Sequence, residues 1–156
     1  MTFELIQFLV SKGALSGHGI PLVHAVVALP KDNGLLERIV EEAAYPLSSL
    51  DGRGRTLLHI AVAEEYPMGP RLRTKRIRFL LEQQFNVGAQ DSEGNTPIHI
   101  AVQDREYDDL RLLLEGANAV AFRENYKRET PLNIAVRLGQ KDKIKAVQEA
   151  MKKVGL

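Results

Sequence analysis

Four segments of the chain set apolar residues three and four positions apart: LLERIVEEAA (35–44), RIRFLLEQQF (76–85), DLRLLLEGAN (109–118) and KIKAVQEAMKK (143–153). That period gathers them on one stripe of a helix, so each segment is predicted to be an amphipathic helix with one buried face. Each is preceded by a shorter apolar stretch: GIPLVHAVVAL (19–29), GRTLLHIAVAE (54–64), GNTPIHIAVQD (94–104) and RETPLNIAVRL (128–138). The polar connections LSSLDGRGR, NVGAQDSEGN and VAFRENYKRE carry the Gly, Asp, Asn and Ser of turns.

The short stretches are copies of one another. Aligned at Ile20, Thr56, Thr96 and Thr130 they recur at spacings of 36, 40 and 34 residues. Each unit is then a helix, a turn, a second helix and a reversing loop. One such pair cannot bury its apolar faces alone, so neighbours must stack into a solenoid. The predicted divisions are 15–50, 51–90, 91–124 and 125–156, with a partial unit at 1–14. FELIQFLVSKGAL, near the start, looks like the second helix of a unit lacking its first. It is either an unusual cap or the mark of a chain cut from a longer protein, and the cut is the preferred expectation.

These residues resemble the ankyrin-repeat motif, Asp-x-x-Gly-x-Thr-Pro-Leu-His-x-Ala. DSEGNTPIHIA (91–101) matches at nearly every position, with Ile98 for Leu, and DGRGRTLLHIA (51–61) departs only at Leu57. NYKRETPLNIA (125–135) has Asn125, Arg128 and Asn133 where Asp, Gly and His are usual, and the first unit keeps Pro21, Leu22 and Ala25. The resemblance covers essentially the whole chain. It implies an all-α ankyrin solenoid of about four repeats plus the partial N-terminal unit.

The motif residues have physical roles. Thr96 suits an N-cap, accepting an unpaired N–H of the first turn. Pro97 suits the first helical position, where a missing N–H costs nothing. Ile98, Ala101 and Val102 are expected to face the stack, and Gly94 to supply a turn with positive φ. The resemblance implies that His59 and His99 bond backbone groups and tie adjacent loops. The competing reading, metal ligation, lacks a second ligand at helical spacing. In the last unit Val147-Gln148 reads as an exposed cap, and Gly155 as a helix stop.

Composition narrows the function. The chain has 156 residues, net charge +1 and no cysteine, which excludes disulfides, thiolate metal sites and cysteine nucleophiles. The near-neutral balance gives no bulk signal for nucleic acid or membrane. No segment reads as a signal peptide, and the most apolar one, IPLVHAVVALP, is too short to span a bilayer. The expectation is a monomeric intracellular protein, cytoplasmic or nuclear. No phosphate loop, paired carboxylates or nucleophile pattern stands out, so neither an enzyme nor a cofactor is expected.

Ankyrin repeats usually bind other proteins, and the resemblance places their contact positions at loop tips and the exposed edge of each first helix. Here these are Gly52, Arg53, Arg55, Ala63 and Glu64; Ser92, Glu93, Asn95, Gln103 and Asp104; and Tyr126, Lys127, Glu129 and Arg137. Tyr126 is the best single anchor, since aromatic and Arg side chains dominate binding energy. The 40-residue spacing adds about seven residues over the usual 33 at EEYPMGPRLRTKRIRF (64–79). Five of its eight residues from 71 to 78 are basic: Arg71, Arg73, Lys75, Arg76 and Arg78. Charge near a helix N-terminus of this sign is mildly unfavourable. It is read either as a solvated face or as a site for an acidic protein surface, phospholipid headgroups or nucleic acid, the last the weakest because no aromatic platform accompanies the charge. The expected function is a protein-binding scaffold. Alternatives are an inhibitor that sequesters its partner, similar to the ankyrin inhibitors of Rel-type transcription factors, a pathogen effector imitating a host scaffold, or a targeting arm of a larger enzyme.

Overall fold

The computed structural model describes residues 22–27, 34–42, 49–63, 69–104 and 106–156. The partial unit at 1–14, Glu64 and most of the inserted loop lie outside these residues. Within them the chain forms α1 (Leu22–Val27), α2 (Leu35–Glu42), α3 (Leu57–Val62), α4 (Pro70–Glu82), α5 (Pro97–Gln103), α6 (Tyr107–Glu115), α7 (Pro131–Arg137) and α8 (Lys141–Lys153). A 3₁₀ turn, Ala119–Phe122, follows α6. No strand occurs among the described residues.

Odd-numbered helices are the short motif copies and even-numbered ones the longer amphipathic segments. Each pair packs together, α1 with α2 through α7 with α8. The short helices stack as α1–α3–α5–α7, and α4, α6 and α8 form a second layer. Ala61, Ala101 and Ala135 occupy one register of the short helices and are buried, which lets neighbouring backbones approach closely. Ile98 and Val102 are buried as expected, among a core that runs from Val26 to Ala150. Each fully buried Leu or Ile there contributes about 1.5–3 kcal/mol of transfer free energy.

The starts of the short helices follow the motif. Thr56, Thr96 and Thr130 are extended N-caps with capping-box geometry. In each, the third helical residue reaches back: His59 Nδ1 accepts Thr56 N–H at 3.1 Å, His99 Nδ1 accepts Thr96 N–H at 3.0 Å, and Asn133 Oδ1 accepts Thr130 N–H at 2.9 Å. The Thr96 hydroxyl also donates across to Ala121 O at 3.1 Å. Thr96→Ala is expected to cost about 1 kcal/mol as a lost cap. An unchanged urea midpoint would count against that role.

At the far end, α8 stops where Gly155 turns to φ 84°, and Leu156 N–H folds back to Met151 O at 3.0 Å. The paired position at its centre is not wholly an exposed cap, however. Gln148 faces water, but Val147 is completely buried because helical spacing aligns it with Ala150 and Lys143 against the stack.

Candidate functional site

The reversing loops form a row of three described fingers, 51–56, 91–96 and 125–130. Each is built the same way from its first residue. Asp51 Oδ1 accepts the N–H groups of Arg53 and Arg55, and Asp91 Oδ1 those of Glu93 and Asn95. Asn125 Oδ1 accepts those of Lys127 and Glu129 at 2.9 and 3.0 Å. An amide oxygen is therefore an adequate substitute for the carboxylate at this position. The spare Asn125 amide donates to Asn95 Oδ1 at 2.9 Å.

Fingers are joined to one another. Ser92 N–H donates to Arg53 O at 2.9 Å, and Tyr126 N–H to Glu93 O at 3.0 Å. Buried histidines add a second row of ties: the Nε2 of His24, His59 and His99 meet the carbonyls of Arg55, Asn95 and Glu129 at 3.1, 3.0 and 3.0 Å. A carbonyl only accepts, so each ring donates from Nε2–H, and the bare Nδ1 of His59 and His99 takes the threonine N–H described above. Every histidine tie runs from one unit to the next finger, which matches the role the motif implies.

Burial lowers the pKa of all three rings below 6.5, and the bond to the next finger's carbonyl only partly opposes this. Such a ring binds protons more readily in the unfolded chain. Its contribution is complete above pH 6.5 and is lost as pH falls below it. The urea midpoint is expected to be lower at pH 5.5 than at 7.5, and less so in a His59→Asn/His99→Asn variant. A flat profile through that window in the unmodified protein would refute the assignment. At Asp51 burial favours the neutral acid, but the Arg55 and Arg53 N–H groups and the Arg55 guanidinium outweigh it and hold the carboxyl low.

The contact positions expected from the sequence separate into two sets. Gly52, Arg53, Ser92, Glu93, Gln103, Tyr126, Lys127 and Arg137 are exposed, Tyr126 at 73%. Glu129 is half-buried and holds Arg137 at 3.0 Å, and Lys127 leans toward Glu93 at 3.6 Å. Ala63, Arg55 and Asp104 are buried and offer no outward contact. Arg55 pairs with Asp51 at 2.9 Å across its own finger. Asn95 is half-buried between His59 and Asn125.

The basic run divides in the same way. Arg71, Lys75 and Arg78 point outward, Lys75 meeting Glu37 at 3.2 Å. Arg73 and Arg76 do not belong to that face: they are 6% and 4% exposed, because α4 turns them to the side of Ile77 and Leu80. Arg76 donates to Val27 O, where α1 ends. Arg73 sits between Asp104 Oδ2 and Asp109 Oδ2, at 2.8 Å from each. Its bond to Asp104 is aligned, whereas the contact to Asp109 is close charge without hydrogen-bond alignment. Asp109 takes its aligned bond from the Thr74 hydroxyl at 2.8 Å. Burial raises the Asp109 pKa, opposed by the Thr74 bond and the Arg73 charge.

Sequence reasoning missed Lys143. It is 5% exposed and donates to Val102 O at 2.9 Å, to Ala101 O at 3.4 Å and to Asp104 O, the carbonyls that end α5. Arg76, Asp109 and Lys143 each directly precede the first stripe residue of their helix: Ile77, Leu110 and Ile144. Two of the three place a cation at the negative end of the preceding unit's short helix, where the dipole favours it. The third is an acid, Asp109, and its charge partner is Arg73 of the preceding unit's longer helix.

Two stretches of the chain, 2–122 and 73–154, match the family model described as ankyrin repeats (3 copies). The chain belongs to the ankyrin-repeat family. It is 28% identical over 119 residues to the I-Kappa-B like protein G2 of Microplitis demolitor bracovirus (isolate Webb), covering 76% of this chain and 68% of that one. Ankyrin repeats generally mediate protein–protein interaction, typically as modules without enzymatic activity. Among the described residues of this ankyrin chain, no helix is long and apolar enough to cross a membrane, and no group of three His, Asp or Glu could hold a metal ion.

Proposed function

We propose that this protein acts by occupying a partner protein's surface with its finger row, as an inhibitor that sequesters a Rel-type transcription factor. The observation that carries the binding surface is the row itself. Arg53, Ser92, Glu93, Tyr126 and Lys127 are exposed side by side on backbone that is bonded within and between fingers. Such a surface loses little freedom on binding, so more of its contact energy appears as affinity. The likeness to an I-Kappa-B like protein supports the inhibitor reading. The mechanism is rigid presentation and steric exclusion, with a monomer acting in the cytoplasm or nucleus and no cofactor taking part.

The test mixes the purified protein with a Rel homology dimer and follows the dimer's release from its DNA site. Binding at 1:1 with loss of the DNA complex is expected. Tyr126→Ala is expected to weaken it about 30-fold, equivalent to a 2 kcal/mol hot spot. Binding that survives Tyr126→Ala unchanged removes the fingers from the contact. A dimer that never binds removes the inhibitor reading. Reversal of Arg71, Lys75 and Arg78 to Glu tests the outer basic face with the same assay and spares the buried arginines.

A further inference from the structure

One position of the last finger departs from the others at a cost to the fold. The fourth residue of each finger is Gly54, Gly94 and Arg128, with φ of 69°, 78° and 60°, and each donates its N–H back to the first residue. Two of these positions must be bare. A Cβ at Gly54 would come within 3.0 Å of Ser92 N, and one at Gly94 within 2.7 Å of Tyr126 Cδ1 and 2.8 Å of Tyr126 N. Each clash is with the finger that follows. Among the described residues no further finger lies across Arg128, so there is room for a side chain. Room does not remove the strain, because a left-handed backbone disfavours every residue with a Cβ. Gln84 is the other non-glycine residue at positive φ among those described, and there the turn closes α4, with Phe85 N–H returning to Leu80 O at 3.1 Å.

The finger turn, closed by Arg128 N–H on Asn125 O at 2.9 Å, accounts for the left-handed backbone but not for arginine in place of glycine. The Arg128 side chain is exposed and its guanidinium forms no hydrogen bond or ion pair among the described residues. It stands beside Lys127 and the open ring of Tyr126. We infer that Arg128 is a contact residue whose guanidinium forks onto a carboxylate of an acidic segment in the protein partner. The inference rests on the finger row being the binding surface. A guanidinium matches a carboxylate with two parallel N–H bonds, which a lysine cannot do. Nucleic acid fits less well, because Glu93, Glu124 and Glu129 interrupt the positive charge that a continuous phosphate chain follows, whereas a single carboxylate needs only the Arg128 fork.

The test uses ¹⁵N-labelled protein titrated with an acetylated Asp/Glu decapeptide carrying one central leucine, and separately with a single-stranded DNA decamer. Peptide-induced shifts centred on Tyr126–Glu129 are expected, with Arg128→Gly weakening binding about fivefold, as loss of one carboxylate fork of about 1 kcal/mol implies. The same variant is expected to melt about 2 °C higher, since glycine relieves the left-handed strain. More stable and less able to bind is the combination that a neutral surface position does not produce. Shifts on Lys141–Lys153 instead of the tip, tighter binding of DNA than peptide at the tip, or an unchanged melting point would each overturn the inference. Should Tyr126→Ala abolish peptide binding while Arg128→Gly leaves it intact, the finger surface stands and Arg128 falls. If both variants bind as the unmodified protein does, the finger surface falls as well.

Discussion

Arg73→Ala is expected to destabilise the protein by about 3–5 kcal/mol, the usual cost of removing one partner from a buried ion cluster. The substitution leaves Asp104 and Asp109 buried at 5% and 1% exposure, facing each other without the cation that sat 2.8 Å from both. Glu106, 3.9 Å from the same guanidinium, adds a third negative charge nearby. Asp109 is already inclined toward its neutral form by burial, and losing Arg73 inclines it further. A carboxyl whose folded pKa is raised weakens the fold as pH rises through that value, and the penalty vanishes in acid. The deficit of Arg73→Ala should therefore be largest at neutral pH and narrow as pH is lowered. Urea denaturation followed by circular dichroism at several pH values measures both. A midpoint equal to that of the unmodified protein at pH 7.5 would mean that the cluster contributes nothing. Replacing Arg73 by Met together with Asp109 by Leu should cost less than Arg73→Ala alone, because fewer charges are stranded.

His99→Ala is expected to cost about 3 kcal/mol, from a cavity in the stack and an unpaired Thr96 N–H. Glu129 O loses the ring but keeps the N–H of Asn125 at 2.9 Å, so the next finger loosens without coming apart. Asn133 occupies the same register in the last unit but is exposed, and Asn133→Ala should cost about 1 kcal/mol or less as a weakened cap. The contrast between the two variants, measured by urea denaturation under identical conditions, reads the tie separately from the cap. Equal losses would show that His99 acts through its own helix turn alone.

The stacking of the fold is legible because its signals are local. Thr, Pro, His and Ala at fixed offsets determine where a short helix starts, what it ties to and how closely it packs. Charge is where reading the chain falters. Arg71 to Arg78 looks like one exposed basic face when taken as composition. Taken as helix register, Arg73 lies four residues before Ile77, and Arg76 four before Leu80, so both share the buried stripe. That signal was present, but the partners that make such burial tolerable, Asp104, Asp109 and the end of α1, come from other units. Lys143 was hidden for the same reason: its three carbonyl acceptors lie about 40 residues away. Of the candidate surface, exposure of the tips follows from turn chemistry. Which tip residue bends back to its own finger, as Arg55 does, follows only from the folded geometry.

Val102 is completely buried by the unit that follows it, whereas Val136, its counterpart in α7, is 58% exposed. The described ties by histidine, Arg73, Arg76 and Lys143 all link neighbouring units, and none of them skips one. The described units should therefore separate one junction at a time, with amide exchange faster in α7, where Val136 is exposed, than in α5. A partner lying across the fingers at Arg53, Glu93 and Tyr126 would bridge three units at once, and its binding would make separate junctions release together.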